Sequence, residues 1–147
     1  MDYKNQKPYN NGHNNNNIVV KPNIKDYDIK SWITCEADET TVDLANKAAE
    51  YMGINEVTTS QIRNIYGEIK RIQMNYEAER VAFLLLRPKV AYMVARNKSN
   101  KKNHAGLSHF QEIFEEAAIH VTDDKTYNNF CNLMEAIVAY HKVHAKR

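Results

Sequence analysis

Glycine and proline are scarce in this chain, at 4 and 3 of 147 residues. So few turn-forming residues exclude a β fold of many short strands and favour long helices with short connections. Cysteine occurs twice, as Cys35 and Cys131. Two such residues give neither a disulfide framework nor a zinc spacing, so a reducing, cytoplasmic setting is expected. No apolar run approaches the ~18 residues that span a bilayer, and no membrane partner is expected. The N-terminus lacks the apolar segment of a signal peptide. There is no glycine-rich phosphate loop. What is present is 43% hydrophobic residues, enough for a buried core in one domain.

Charge is unevenly distributed. The net value of +2 divides into −3 over residues 1–59, +7 over 60–104 and −2 over 105–147. A central basic block suggests a polyanionic partner. For charge blocks in general, a solvated helical surface is the commoner explanation.

Residues 1–17, with the run "NNGHNNNN", read as a disordered Asn-rich tail. Residues 18–40 read as an extended arm anchored by Trp32, so that 1–40 form tail and arm and 41–147 a single helical domain. A first helix is expected over 41–52, capped by Thr40 or Thr41 and ended by Gly53 in the left-handed conformation. Its apolar stripe is Val42, Ala45, Ala49 and Met52. The second helix has the clearest pattern. Thr58 and Gln61 have capping-box spacing, and Ile62, Ile65, Tyr66, Ile69, Ile72, Gln73 and Tyr76 follow a 3.6-residue period. Gly67 falls off that stripe, either as a close-contact point with another chain or as a tolerated imperfection.

Phe83 to Leu86 then read as the core half of a helix from about Glu79. Pro88 lacks an amide donor and clashes with the preceding turn. A break is therefore expected at Arg87, with a new helix from Pro88 to about Asn97. "NKSNKKNHAG" reads as a loop. A fourth helix, Ser108 to Val121, carries Phe110, Ile113, Phe114 and Ala117. A fifth, after "TDDK", carries Tyr127, Phe130, Cys131, Met134, Ile137, Val138 and His141 on one face. The expected fold is all-α, a compact bundle of about five helices.

No catalytic constellation emerges. His141 and His144 share a face but have no carboxylate or cysteine in register. His104, His109 and His120 have no ligand spacing, and Cys131 sits on an apolar stripe, where it is expected to be buried and inert. No metal, cofactor or enzymatic activity is expected. The basic block is better organised. Lys89, Tyr92 and Arg96 fall on one helical stripe, an aromatic between two cations. Arg63 and Lys70 fall on another, with Arg71 beside them. Two such helices can wall a groove for a phosphate backbone, contacted without regard to sequence. The same spacing also fits a surface face whose Tyr packs at the edge of the core.

Three segments in order, "TTSQIRNIY" (Thr58–Tyr66), "RPKVAYMVAR" (Arg87–Arg96) and "FCNLMEAIVAYH" (Phe130–His141), resemble the small subunit of the type III-A CRISPR effector, the Csm complex. The resemblance spans about residues 55–143, with Ala95 where family members often carry Gly. It implies a non-catalytic role in antiviral defence. Copies of such subunits stack head to tail along a ribonucleoprotein filament and line the channel that holds guide RNA paired to target RNA. Catalysis belongs to the large polymerase-like subunit and the backbone subunits. Isolated subunits can instead dimerise. By this resemblance Arg63, Lys89, Tyr92 and Arg96 become candidate RNA contacts, Arg63 and Arg96 foremost, because a guanidinium fork binds phosphate bidentately. Lys70, Arg71, Lys98, Lys101 and Lys102 are added on charge alone. The other reading is a helical protein-interaction module that does not touch nucleic acid.

Overall fold

A computed structural model describes residues 18–145, so the expectation of a disordered tail over 1–17 lies outside the described residues. The described chain is all-helical. After a 3₁₀ turn at Ile24–Asp26 come α1 (Ile29–Thr34), α2 (Glu39–Ile54), α3 (Thr59–Gln73), α4 (Arg80–Ala95), α5 (Lys101–Ala118) and α6 (Asp124–His144). Side-chain caps start five of the six helices. Asp28 caps α1 and Asn100 caps α5. Full capping boxes, Asp38 with Thr41, Thr58 with Gln61 and Asp123 with Thr126, begin α2, α3 and α6. Each box satisfies helix-end amides that have no partner within the helix.

The helices form a ring. α4 packs between α3 and α5, α5 against α2, α2 along α6, and α6 against α3, with α1 lying on α5 and α6. The core is aromatic where α4, α5 and α6 meet. Phe130 lies 5.4 Å from Phe83 and 5.3 Å from Phe114, both edge-on, and Tyr127 stacks on Tyr76 at 4.8 Å. The buried Tyr127 hydroxyl donates to the Ile69 carbonyl at 2.7 Å, which meets the need of a phenol removed from water. Trp32 is 2% exposed. It anchors its segment as expected, but on the short helix α1 instead of an extended arm.

Several expectations are overturned. Helix α4 is unbroken through Pro88. Phe83, Leu86, Val90 and Val94 form its buried stripe, and this stripe keeps helical register across the proline. Pro88 and Leu84 are both exposed, so the backbone hydrogen bond lost between them lies on the outer face of the helix, where the loss costs least. Leu84 and Leu85 are not core: they are 59% and 53% exposed. The expected loop at Asn97–Gly106 is mostly helix, because Asn100 caps α5 and Asn103 is buried. Asn103 donates to the Glu56 carbonyl and exchanges hydrogen bonds with Gln61. In α2, Val42 is exposed and Leu44, Ala45, Ala48 and Met52 face the core. Asp38, not Thr40 or Thr41, is its cap. Gly53 has no positive φ; the left-handed residue is Glu56, with φ 64°.

Gly53 instead permits a close approach. A Cβ there meets the His144 carbonyl oxygen at 2.8 Å, and one at Gly106 meets Val57 Cγ2 at 2.6 Å, whereas one at Gly67 meets nothing within 4 Å. Two histidines are also sealed in the core. His141 Nε2–H donates to the Val57 carbonyl at 2.8 Å. His109 Nδ1 lies 2.7 Å from Glu112, and its ring meets Tyr51 edge-on. Burial pushes both pKa values below the ordinary 6.5, outweighing the hydrogen bond from each ring.

Substituting Gly53→Ala is expected to destabilise the chain by about 1–3 kcal/mol through overpacking against α6, while Gly67→Ala is expected to stabilise it by about 1 kcal/mol through helix propensity. Denaturant titration of both variants measures the contrast. A buried neutral histidine binds its proton only in the unfolded state at mildly acid pH. Stability is therefore expected to be complete above pH 6.5 and to fall as the pH drops below that value. Denaturation midpoints across that range are expected to vary less in His141→Gln, which keeps a donor for Val57 and cannot titrate.

Candidate nucleic-acid interface

The outward side of α4 has two parts. Val81, Leu85, Pro88 and Tyr92 run along its middle, all exposed. Lys89 and Arg96 lie along the edge that faces α3. Between this edge and α3 runs a groove lined by Ser60, Asn64 and Ile65 from α3 and by Lys89, Tyr92, Met93 and Arg96 from α4. The Arg96 guanidinium carbon sits 5.9 Å from the Tyr92 ring centroid, a cation–π contact at the outer limit of its range. The three residues that the sequence spacing put on one stripe thus do share one exposed groove.

The groove continues past Gln61 and Asn97 into a second polar hollow lined by Thr58, Asn100 and Asn103. Here the first turns of α3 and α5 come together. Their relative position is fixed by the Gln61–Asn103 pair and by the bond from Asn103 to the Glu56 carbonyl. Lys101 and Lys102 project from the first turn of α5, and Lys98 from the turn before it; all are exposed. The polar lining from Ser60, Asn64, Asn97 and Asn100 was missed in the sequence. Its one signal there is the i, i+4 spacing of Ser60 and Asn64 beside the isoleucine stripe.

Arg63 lies elsewhere. It lines a separate hollow between α3 and α6 with Thr59, Tyr66, Val138 and Lys142. Lys70, two helical turns further along the same side, lies toward Cys131 of α6. The two expected cationic stripes therefore do not form opposite walls of one groove. They flank α3 on its two sides, with the exposed Gly67 between them.

Ion pairing sorts the cations further. Among the described residues, the Lys and Arg side chains in ion pairs are Lys21, Lys47, Arg71, Arg87 and Lys102. Lys89, Arg96, Arg63, Lys70, Lys98 and Lys101 are outside that set. Arg71 bridges Glu68 and Glu79, each at 3.1 Å. Arg87 binds Glu115 at 2.6 Å and so ties α4 to α5. Lys102 reaches Glu56 at 3.8 Å.

Other chemistry is sparse. Among the described residues no group of three or more His, Cys, Asp or Glu is placed to hold a metal ion. His144 binds Asn46 at 2.7 Å and His141 the Val57 carbonyl, so the two are held by different partners. Cys131 is buried and its thiol is pushed up to about 11, chiefly by burial, which leaves almost no thiolate at neutral pH. No described helix is long and apolar enough to cross a membrane.

Comparison with curated proteins and with solved structures found no match. Against family models, one described as Csm2 Type III-A matches residues 36–147, the whole of α2 to α6 with both grooves. This all-helical chain therefore belongs to the Csm2 family of type III-A systems, in agreement with the motifs on α3, α4 and α6.

Proposed function

We propose that the protein is a non-catalytic, RNA-binding structural subunit of the type III-A CRISPR interference complex. In this reading it lines the channel that holds guide RNA paired to target RNA and so contributes to antiviral defence. Its partners are the two RNAs, the large polymerase-like subunit, the backbone subunits and further copies of itself. The observation that carries the reading is the groove between α3 and α4. Lys89 and Arg96 face it, outside every ion pair among the described residues, and Tyr92 lies between them with hydroxyl and amide side chains opposite. Cations at the rim and neutral donors along the wall suit a phosphate–ribose backbone, which carries charge and hydroxyls but no sequence.

Arg96 and Lys89 are the primary contacts in this reading. Lys98, Lys101 and Lys102 extend the field along the continuing hollow. Arg63 and Lys70 offer a second point of contact across α3, about one helix diameter, ~10 Å, away. Arg71, already held by two carboxylates, contributes least. A few phosphate contacts bind weakly at physiological salt, and several copies on one duplex act at high effective concentration. Binding by the isolated protein is thus weak and salt-sensitive, and retention in the assembly is strong.

A second reading, a protein-interaction module without RNA contact, is favoured by the exposed apolar middle of α4. One experiment separates the two. Binding of a guide–target duplex by Lys89→Ala/Arg96→Ala is measured by fluorescence anisotropy across a salt series. The log–log salt slope is expected to become shallower by about 1.4–1.8, from two lost phosphate contacts at ~0.7–0.9 each. The complex is expected to assemble normally but to retain target RNA poorly. An unchanged slope together with failed assembly supports the interaction module instead.

A further inference from the structure

The hollow between α3 and α6 has an apolar floor and a charged end. Ile62 and His141 at its base are each 1% exposed, and Tyr66 and Val138 line it while packing against the core. The two helices run antiparallel here, as the His141–Val57 and Tyr127–Ile69 bonds show. Arg63 of α3 and Lys142 of α6 therefore stand at the same end. Both are exposed, and neither is in an ion pair among the described residues. Towards the other end Glu135, one turn before Val138 on α6, lies toward Tyr66, with Lys70 beyond it near Cys131. The hollow is thus polarised along its length, with two cations at one end and a carboxylate past the aromatic ring.

Size and charge define what fits. The cavity volume is about 200 Å³. A benzene ring occupies ~150 Å³, and sites for drug-sized ligands begin at ~300 Å³, so the space takes one planar ring. Tyr66 supplies an aromatic face for it to stack on. The two cations call for one anionic group beside that ring, and a phosphate has enough terminal oxygens to meet both. Glu135 repels a second anion at the far end. Arg63 precedes Tyr66 by three residues and Lys142 follows Val138 by four, which puts the cations ~4.5–6 Å along the helix axes from the apolar floor. A carboxylate attached directly to a ring falls short of that span. The ribose between the base and the phosphate of a nucleotide covers it.

We infer that the α3/α6 hollow binds a single pyrimidine nucleotide unit, with its base on Tyr66 and its phosphate between Arg63 and Lys142. A purine has two fused rings and fits the space less well. The site goes beyond the reading above, which needs no ligand in this hollow. The same chemistry reaches it from two sources, a free nucleoside monophosphate or an unpaired nucleotide of an RNA strand that also lies in the α3/α4 groove. Only the second source rests on the RNA reading. Between groove and hollow the outer face of α3 is low: it carries Ser60, Asn64 and Gly67, and a Cβ at Gly67 meets nothing within 4 Å. A strand has room to cross there. One stacked base and one phosphate on exposed cations bind weakly, with a Kd on the order of 1 mM.

Amide chemical-shift titrations of the full chain with uridine monophosphate, adenosine monophosphate, uridine and inorganic phosphate test the site. Uridine monophosphate is expected to shift the amides of Arg63, Tyr66, Val138 and Lys142 and to saturate. Uridine and phosphate, each lacking one half of the ligand, are expected to bind at least about tenfold more weakly, and adenosine monophosphate more weakly than its pyrimidine counterpart. Arg63→Ala/Lys142→Ala is expected to bring uridine monophosphate down to the affinity of uridine. Val138→Phe, which fills the hollow and keeps both cations, is expected to abolish the shifts. Melting temperatures check both folds, and the alanine variant, at exposed positions, carries the test if Val138→Phe does not fold. No saturation by uridine monophosphate up to about 10 mM overturns the inference, as do shifts confined to the α3/α4 groove, equal affinity for uridine, or tighter binding of the purine. A duplex with one unpaired 3′ uridine is then compared with the blunt duplex. Shifts in the hollow from the overhang alone assign the site to the RNA strand, whereas shifts from uridine monophosphate but from neither duplex assign it to a free nucleotide. The mononucleotide contains no duplex, so its failure leaves the salt slope of Lys89 and Arg96 standing, and the two readings fail separately.

Discussion

Everything α4 presents to its surroundings depends on one buried stripe. Phe83, Leu86, Val90 and Val94 stay in helical register across Pro88, and their burial in the core outweighs one missing backbone hydrogen bond. A lost bond of this kind costs about 3 kcal/mol at a general interior position, and less where the freed carbonyl meets water. Burying four large apolar side chains contributes about 1.5–3 kcal/mol each. The packing term is therefore larger, and the helix continues. Had it broken at Arg87, Lys89 and Arg96 would lie on a segment free to rotate away from the residues before it. Continuity instead fixes the cationic edge toward α3 and turns Val81, Leu85 and Tyr92 outward.

The groove depends on a second, polar constraint. Asn103, almost wholly buried, bonds to both Gln61 and the Glu56 carbonyl. Gln61 is at once the capping-box partner of Thr58 and the side chain that meets Asn103. One amide thus starts α3 and also binds it to the first turn of α5. Buried amides left unpaired are costly, so this small network fixes how the two helix starts face each other. Glu56 holds a left-handed conformation, which costs roughly 1–2 kcal/mol for a residue with a Cβ. Its carbonyl, turned toward Asn103, offsets part of that cost.

The parts of this fold that could be read from the sequence were those set by local chemistry. The Thr58–Gln61 box, the isoleucine stripe of α3 and the apolar face of α6 each follow from residues a few positions apart, and the structure has them where the spacing put them. The errors arose where a local rule met a longer-range force. Proline is a helix breaker unless a buried stripe on the opposite face carries the helix through. Asn and Gly near Asn103 and Gly106 resemble a loop, but one caps, one is a buried linker and the glycine makes room for Val57. Leu84 and Leu85 look like core in a four-residue apolar run, although a helix can bury only about a third of its circumference. In the site, spacing alone put Lys89, Tyr92 and Arg96 on one face. The Arg71–Glu68 pair, i, i+3 on α3, could be read from spacing, but that Arg63 belongs to a different groove, and that Arg87 is held by Glu115, depends on which helices become neighbours. No pattern within one helix carries that information.

The division of labour on α4 runs around the helix, not along it. One arc is buried, the next is apolar and exposed, and the third is cationic and faces α3. A ligand on the cationic arc and a protein on the apolar arc are separated by less than a helix diameter, ~10 Å. Phosphate at Lys89 and Arg96 lowers the positive field beside the apolar arc. Any neighbour bearing carboxylates would then lose part of its attraction, while a neighbour held on the same polyanion gains effective concentration. The first effect is a fraction of a kcal/mol at exposed sites, screened over ~8 Å at physiological salt. The second can reach a factor of 10²–10⁴. In the proposed reading the gain from the shared scaffold is the larger, so a few weak phosphate contacts on one helix are enough to retain copies on a common polyanion.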